Sequence, residues 1–222
     1  MVMSTDKSYN KKYLKKIIHF LYTTYGGKKI ELDYETPFQL LCAVILSAQT
    51  TDKQVNKITP AFFRKVRNAS DLSTIPLEDI EEKLQYVNFY RNKSRYIKET
   101  GNIIAEQYNN SIPNDLILLQ TFPWIGIKTA KVVLAVLYDM PYVWVDTHIH
   151  RVMNRLWIVQ TKTPEQTDKC LDIILSEQEK HILHHPTVLF GRYHCTAKKP
   201  KCETCLIKNM CTFYKTIKNR SQ

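Results

Sequence analysis

The sequence contains no long run of apolar residues. Its longest such stretch, residues 40–48, has about nine residues, whereas a helix that crosses a membrane needs roughly 20. The first residues, with Asp6 among several lysines, also lack the apolar segment of a secretory signal peptide. Apolar residues make up 44% of the 222 residues and charged residues 24%, as in ordinary globular proteins. We therefore expect a cytoplasmic protein with no membrane partner and no disulfide bonds.

Sustained strand alternation is also missing, as are internal repeats and low-complexity stretches. Apolar residues instead recur at helical spacing, and residues 127–140 are apolar on most sides, which is typical of a central helix. Thr51 with Gln54, and Thr163 with Gln166, have the spacing of capping boxes at helix starts. The sequence therefore predicts an all-α fold, with further helices over 8–24, 37–48, 77–87, 92–109, 113–121, 146–157 and 183–194.

Acidic residues are scarce at the two ends of the chain. Residues 1–29 contain seven Lys or Arg and one acid, and residues 192–222 contain eight Lys or Arg and one acid. The formal net charge is +11, so the segment between these ends is close to neutral. Two basic ends indicate a polyanionic partner, most simply nucleic acid. A solubilising surface with a flexible tail would give the same charge pattern.

Four of the six cysteines lie close together, with the spacing C-x6-C-x2-C-x5-C. Cys42 and Cys170 stand apart in apolar surroundings, which is typical of core thiols. Clustered thiols without a secretory signal usually bind zinc or an iron–sulfur cluster. Structural zinc sites tend to use two close pairs and only one is present, while spread ligands suit a four-iron cube, but the spacing alone leaves both open. The expected metal ligands are Cys195, Cys202, Cys205 and Cys211.

The segment 121–130, Thr-Phe-Pro-Trp-Ile-Gly-Ile-Lys-Thr-Ala, joins the end of one short helix to the start of another near Gly126. A helix start presents free N–H groups and a partial positive charge, so it can bind a phosphate without a basic side chain. This pattern is that of a helix–hairpin–helix clamp on DNA, although an ordinary interhelical turn has the same shape. Lys128, in the first turn of the second helix, is either an amine nucleophile able to form a Schiff base or a solvated surface lysine.

Asp146 follows the predicted central helix, in the segment Tyr142-Val-Trp-Val-Asp-Thr-His-Ile-His150. An aspartate at a helix start is commonly only an N-cap. The Asp-x-His-x-His spacing also suggests a metal site, but His148 and His150 would point to different faces of a helix. We therefore expect no metal ion at this segment.

These segments together carry a resemblance to a known family. The chain resembles endonuclease III, of the helix–hairpin–helix superfamily of DNA glycosylases, from about residue 30 to residue 212. The joint occurrence of Lys128, Asp146 and the cysteine spacing is specific, and it outweighs the alternatives for each motif taken alone. The matching pieces are Leu46-Ser-Ala-Gln-Thr-Thr-Asp52, the hairpin with Lys128-Thr-Ala130, Val145-Asp-Thr-His148, Gly191-Arg-Tyr193 and the four-cysteine loop.

The resemblance implies two all-α domains. Residues 30–140 would form a six-helix barrel that carries the hairpin, and residues 1–29 with 141–222 would form a second domain that holds a [4Fe–4S] cluster in the loop 195–211. The two basic ends would then lie on one domain, along which DNA would bind. The expected protein is a monomer that binds double-stranded DNA with damaged bases or abasic sites. The absence of organelle or nuclear extensions favours a prokaryotic source and a place in the cytoplasm, at the nucleoid.

The implied activity is that of a DNA glycosylase and abasic-site lyase of base excision repair. Lys128 would attack C1′ of an everted nucleotide that carries an oxidised pyrimidine, and Asp146 would stabilise the positive charge on the sugar. The Schiff base would then permit β-elimination, which cuts the strand. Gln49 and Phe89 are the expected wedge residues that fill the gap in the duplex, although Phe89 is as compatible with a core position. Further expected DNA contacts are Trp124, Gly126, Thr129, His148, Lys198, Lys199 and Lys201.

The chain departs from the family pattern at its tryptophans. The family hairpin usually contains Leu-Pro-Gly-x-Gly, whereas this chain has Phe122-Pro-Trp-Ile-Gly126. Trp144 and Trp157 also occupy positions where relatives often have glycine, and the chain has only 5 glycines and 3 tryptophans. Our hypothesis is that the source organism reads the codon UGA as glycine, so that all three tryptophans are glycines in the native protein. Genuine tryptophans would predict weaker DNA binding or a rearranged hairpin.

Two other functions remain open at the level of sequence. One is a glycosylase of the same fold with another base preference, for a mismatched or an alkylated base. The other is a non-catalytic DNA-binding module with a structural metal ion, which would bind DNA without cutting it. A panel of duplexes with different lesions separates the first from the implied activity, and an assay for strand cleavage separates the second.

Overall fold

The structure, a computed structural model, describes residues 11–26 and 30–219, and its regular elements there are all helical. The predicted all-α fold is therefore confirmed. None of the described helices has both the length and the apolar character that crossing a membrane requires. Short 3₁₀ helices span Ala69–Ser73 and Lys208–Met210. The α-helices are α1 (Lys11–Tyr25), α2 (Pro37–Ser47), α3 (Asp52–Phe63), α4 (Leu77–Leu84), α5 (Tyr90–Tyr108), α6 (Leu116–Leu119), α7 (Ile127–Tyr138), α8 (Thr147–Arg155), α9 (Pro164–Ile174), α10 (Glu177–Tyr193) and α11 (Thr212–Asn219).

Local sequence signals set many of the helix starts. Thr51 and Thr163 each cap the following helix, because the side chain accepts a hydrogen bond from the backbone N–H three residues further on. The predicted capping boxes at these two residues are only half formed. The side chain of Gln54 bonds to the carbonyl oxygen of Tyr86 at 3.2 Å, and that of Gln166 bonds to the residue before its cap.

Three predicted helices have different boundaries in the structure, and the one predicted over 77–87 ends at Leu84. Helix α10 begins earlier than the periodicity predicts, because Ser176 and Glu179 form a complete capping box. The helix predicted over 113–121 is limited to the short α6, which Asp115 caps at its start. Residues 8–10 of the first predicted helix lie outside the described residues.

The chain divides into two compact units: Ile30–Met140, here called the central unit, and Met1–Lys29 with Pro141–Gln222, here called the terminal unit. The central unit contains α2 to α7. Almost every residue of α2 is buried, and α3, α5 and α7 pack against it, so this helix lies in the middle of the core. The largest fully buried side chains of this core are Leu40, Leu41, Leu46, Leu72, Ile80, Leu84, Ile97, Ile104, Leu119 and Leu134.

The terminal unit has its own core, in which α10 packs against both α1 and α8. Glycine at position 191 permits the close approach of α10 to α8. A Cβ atom added there would lie 2.9 Å from the Cβ atom of His148 and 3.3 Å from Val152. The buried residues that α1 contributes are those that its helical spacing predicts, namely Leu14, Ile17, Ile18 and Leu21.

Candidate functional site

The predicted hairpin of the central unit is present as α6, a turn, and α7. Phe122 and Ile125 anchor the turn, since both side chains are buried. Gly126 is the N-cap residue of α7, and no side chain caps this helix. A Cβ atom added at Gly126 would meet nothing within 4 Å, so the space beside the helix start is open. The first N–H groups of α7 are therefore accessible to an anion, as the sequence predicts for a phosphate.

Lys128 lies in the first turn of α7 with an exposed side chain, and Thr129 beside it is half-buried. Among the described residues, Lys128 makes no hydrogen bond or ion pair. Its amine is therefore not committed to a structural contact within the described part of the chain. Such an uncommitted amine at an accessible helix start is suited to attack on an electrophilic carbon.

Asp146, in the terminal unit, is the N-cap residue of α8. Its Oδ1 atom accepts a hydrogen bond of 2.8 Å from the N–H of Ile149. The N-cap interpretation is thus correct as far as this oxygen is concerned. The side chain is only half-buried, and within the described residues its other oxygen has no hydrogen-bond donor. One carboxylate oxygen therefore holds the residue in place while the other remains able to act on a substrate.

His148 and His150 point in different directions, as expected for alternate residues of a helix. Nδ1 of His150 lies 2.7 Å from the hydroxyl of Thr167, whereas Nδ1 of His148 lies 3.2 Å from Nη2 of Arg151. Arg151 also donates to the carbonyl oxygen of Cys195 at 3.0 Å. Its pKa is lowered by burial, and then by the nearby charge of another arginine. The two histidines accordingly form hydrogen bonds to different residues.

Gln49 and Phe89, the predicted wedge residues, are exposed in two loops of the central unit. The side chain of Phe89 is 63% exposed, so the alternative that it belongs to the core is wrong. Both residues have left-handed backbone conformations, with φ of 57° at Gln49 and 59° at Phe89. The two loops are joined, because Nδ2 of Asn88 donates a hydrogen bond of 2.6 Å to the carbonyl oxygen of Gln49.

The four clustered cysteines line one cavity of the terminal unit, together with Arg155. Burial raises the pKa of Cys202, Cys205 and Cys211, and neighbouring cysteine sulfurs raise each pKa further. The four cysteine side chains therefore share the surroundings of this one cavity. Within the described residues, no three ligand side chains converge closely enough to hold a single metal ion. Four thiols around a shared cavity fit a cluster of several irons.

Arg155 binds the start of this cysteine loop, which the sequence did not indicate. Its guanidinium donates to Sγ of Cys195 at 3.4 Å and to the carbonyl oxygen of Thr196 at 2.7 Å. It also lies over the ring of Phe213, 4.2 Å from the centroid. The residues near Arg155 give no signal of this role, because the loop residues that it binds lie about 40 positions further along the chain. The predicted phosphate contacts Lys198, Lys199 and Lys201 lie on the same loop, with exposed side chains.

Two of the three tryptophans have backbone conformations that favour glycine. Trp124 and Trp157 both have φ of 61°, in the left-handed region that costs an L-residue with a Cβ atom about 1–2 kcal/mol. Trp144 is crowded instead: its ring centroid lies 3.3 Å from that of His184, whereas aromatic pairs are usually about 4.5–7 Å apart. These three observations support the hypothesis that residues 124, 144 and 157 are glycines in the native protein.

Family models match most of the chain. The model described as HhH-GPD superfamily base excision DNA repair protein matches residues 42–176, and that described as the iron-sulfur binding domain of endonuclease III matches residues 195–211. Endonuclease III of Bacillus subtilis is 37% identical over 82% of this chain and 83% of its own length. Endonuclease III of Escherichia coli (strain K12) is 36% identical over 84% of this chain and 89% of its own length.

Solved structures match equally well. A trapped covalent intermediate of endonuclease III with DNA has 35% sequence identity and a TM-score of 0.87, and the match covers 94% of this chain and 99% of that one. A non-covalent endonuclease III–DNA complex has 34% identity and a TM-score of 0.88, covering 95% and 99%. A thermostable thymine-DNA glycosylase, 20% identical with a TM-score of 0.81, shares the fold.

The hairpin, the cysteine loop and these similarities define a class, the base excision DNA repair proteins of the helix–hairpin–helix superfamily. Within that superfamily, the chain belongs to the endonuclease III family. It is accordingly a DNA glycosylase and abasic-site lyase whose C-terminal loop binds a [4Fe–4S] cluster.

Proposed function

We propose that the chain removes oxidised pyrimidines from duplex DNA through a Schiff base on Lys128, and then cuts the strand at the abasic site. The observation that carries this proposal is the exposed and uncommitted amine of Lys128 at the accessible start of α7. A relative with 35% identity has been captured as a covalent intermediate with DNA. We assign the same kind of covalent bond to Lys128 in this chain.

In the first step, the nitrogen of the Lys128 amine attacks C1′ of the damaged nucleotide with its lone pair. The C1′–N bond to the base breaks, and the base leaves with the electron pair and takes up a proton. The free oxygen of the Asp146 carboxylate stabilises the positive charge that develops on the sugar and assists these proton transfers. The sugar ring then opens to leave a Schiff base between Lys128 and C1′.

The Schiff base acidifies the proton on C2′, which a base removes. The electron pair of that C–H bond expels the 3′ phosphate, so that the C3′–O bond breaks and the strand is cut on the 3′ side of the lesion. Hydrolysis of the Schiff base finally releases Lys128. In these reaction steps, one lysine is responsible for both the glycosylase and the lyase activity.

The damaged nucleotide must leave the base stack before C1′ becomes accessible. We assign the filling of the resulting gap to Gln49 and Phe89, which are exposed in adjoining loops. The accessible N–H groups after Gly126, together with Thr129, bind backbone phosphates. The hairpin backbone at Trp124 and the side chain of His148 are assigned further DNA contacts, which remain predictions.

The basic loop of the terminal unit supplies sequence-independent affinity. Lys198, Lys199 and Lys201 are exposed and are assigned phosphate contacts, which weaken steeply with salt. The [4Fe–4S] cluster, when bound by the four cysteines, supplies iron–thiolate bonds that order this loop. We further propose that the protein acts as a monomer at the nucleoid of a prokaryotic cell, in the cytoplasm.

The proposal is tested by trapping with borohydride on a duplex that contains an abasic site. Lys128→Gln removes the amine and is expected to abolish the covalent adduct and strand cleavage. Lys53→Gln is a matched control, since Lys53 is also an exposed lysine in the first turn of a helix of the central unit, α3. It should trap at the wild-type yield. An adduct at full yield with Lys128→Gln would overturn the assignment.

A further inference from the structure

Lys93, in the first turns of α5, is a lysine whose side chain is almost completely buried. Only 5% of the residue is exposed, and its ammonium donates three hydrogen bonds. The acceptors are the carbonyl oxygens of Leu46, at 2.8 Å, and Ala48, at 2.6 Å, and the hydroxyl of Thr50, at 3.2 Å. No carboxylate of the described residues forms an ion pair with it. The burial lowers the pKa of Lys93 from 10.5 to about 8.

These three acceptors surround the point at which the chain leaves α2. The carbonyl oxygens at the end of a helix lack intrahelical partners, and the negative end of the helix dipole favours a cation there. The acceptors also lie on both sides of Gln49, which separates Ala48 from Thr50. The ammonium of Lys93 therefore holds both flanks of a residue whose backbone is in the left-handed region.

Lys93 also forms a hydrogen bond to the loop that contains Phe89. Its backbone N–H donates to the carbonyl oxygen of Phe89 at 3.1 Å, so the same residue that holds the flanks of Gln49 closes the helical turn that begins at Phe89. Asn88 adds the direct bond to Gln49 described above. The ammonium of Lys93 therefore holds the two neighbours of Gln49, while its backbone N–H bonds the carbonyl oxygen of Phe89.

A comparison within α5 separates this role from general stabilisation. Lys98, one and a half turns further on, also donates to two main-chain carbonyl oxygens, those of Leu72 and Ile75. Those acceptors lie in the 3₁₀ helix Ala69–Ser73 and just after it, far in sequence from the loops of Gln49 and Phe89. The helix therefore contains two lysines with similar side-chain bonds, and only the ammonium of Lys93 bonds the segment that contains Gln49.

We propose that Lys93 is a positioning residue for nucleotide eversion, whose ammonium fixes the loop of Gln49 in the geometry that enters the DNA duplex beside Phe89. This inference rests on the function proposed above, because it assumes that these two residues fill the gap left by the damaged nucleotide. Lys93 itself touches neither the sugar nor the base.

The test compares Lys93→Met with Lys98→Met on two substrates. One is a duplex with thymine glycol in a fully paired context, and the other has the same lesion within an unpaired bubble, where the nucleotide is already released from its stack. Lys93→Met should lower the single-turnover rate on the paired duplex by about 10- to 100-fold, as expected for a misplaced positioning group. On the bubble its rate should approach that of the wild type. Lys98→Met should lower both rates equally or neither.

Eversion itself is followed by the fluorescence of 2-aminopurine placed next to the lesion. Lys93→Met should reduce the rise in fluorescence on binding, and Lys98→Met should leave it intact. Asn88→Ala removes only the exposed bond to Gln49, and it should give a smaller loss of about 2- to 10-fold on the paired duplex. If Lys93→Met does not fold, Thr50→Val decides the question, because it removes a side-chain acceptor of the Lys93 ammonium and should slow the paired duplex but not the bubble.

The outcomes separate the two proposals. Failure of the wild-type protein to form a borohydride adduct on an abasic duplex would refute the proposed function. A wild-type protein that forms the adduct, with Lys93→Met (or Thr50→Val in its place) equal to it on the paired duplex, would refute the inference alone. Equal losses on the paired duplex and the bubble would also refute it, because they would indicate a merely structural lysine.

Discussion

The indole of Trp124 stacks on the ring of Tyr96, with centroids 4.4 Å apart and planes at 22°. The stack places a large exposed side chain two residues before the N-cap of α7, at the surface assigned to a DNA phosphate. Trp124→Gly removes this side chain and should strengthen binding to an abasic duplex, since glycine permits a closer approach of the backbone to phosphate. Titration by fluorescence anisotropy measures the change.

The stability of Trp124→Gly should differ little from that of the parent chain. Relief of the left-handed backbone, about 1–2 kcal/mol, opposes loss of the aromatic stack, about 0.5–1.5 kcal/mol. Trp157→Gly is the control, because it relieves the same conformation outside the hairpin. It should raise the free energy of unfolding and leave the affinity for DNA unchanged. Weaker DNA binding by Trp124→Gly would contradict the glycine-like role of this position.

The codons of the gene provide a separate check on the tryptophans. If the source organism reads UGA as glycine, UGA stands at positions 124, 144 and 157. Sequencing of the gene settles this directly, and UGG at these positions would refute the hypothesis. If the native residue is glycine, Trp144→Gly should also raise the free energy of unfolding of the terminal unit, because it removes the crowding against His184.

The two glycines 126 and 191 should respond differently to alanine. Gly191→Ala places a Cβ atom 2.9 Å from that of His148, and should destabilise the protein by about 1–3 kcal/mol through overpacking. Gly126→Ala meets nothing within 4 Å and has a φ of −75°, so its stability should be unchanged within error. Urea unfolding measures both. A weaker affinity of Gly126→Ala for DNA, at unchanged stability, is expected if phosphate approaches this residue.

Removal of one cysteine of the loop should remove the cluster. Cys202→Ser leaves three thiols around the cavity, and should lower both the iron content and the visible absorbance of the purified protein. Cys170→Ser is the matched control, since Cys170 is a half-buried thiol of the same unit that does not line this cavity. It should retain iron at the wild-type level. Full iron content in Cys202→Ser would show that this cysteine is not a ligand.

The buried ammonium of Lys93 should give the stability a characteristic dependence on pH. Its pKa is lowered from 10.5 to about 8 in the folded chain, so the unfolded chain binds more protons between these two values. Stability therefore rises with pH in this window, relative to a chain without the lysine. The difference in unfolding free energy between wild type and Lys93→Met should thus shift in favour of the wild type from pH 8 to pH 10. A difference that is constant with pH would contradict the lowered pKa.

Features that depend on neighbours along the chain were accessible from the sequence. Helical periodicity predicted the buried face of α1, and side-chain chemistry predicted the caps at Thr51 and Thr163. Such features follow from interactions over three or four residues. The capping box at Thr51 was not predictable, because Gln54 bonds a residue 32 positions away, while Gln166 bonds Lys162, just before its cap.

The sequence by itself determined the all-α class, the hairpin before Lys128 and the spacing of the four cysteines. Each of these features depends only on residues that are close to one another in the chain. Only the tertiary structure decided that Phe89 is exposed, that Lys93 is buried beneath the loop of Gln49, and that the glycine-like backbone falls on two of the tryptophans. Those properties depend on contacts between segments that are distant in sequence. The packing of the whole unit sets such contacts, and no local pattern of residues specifies them.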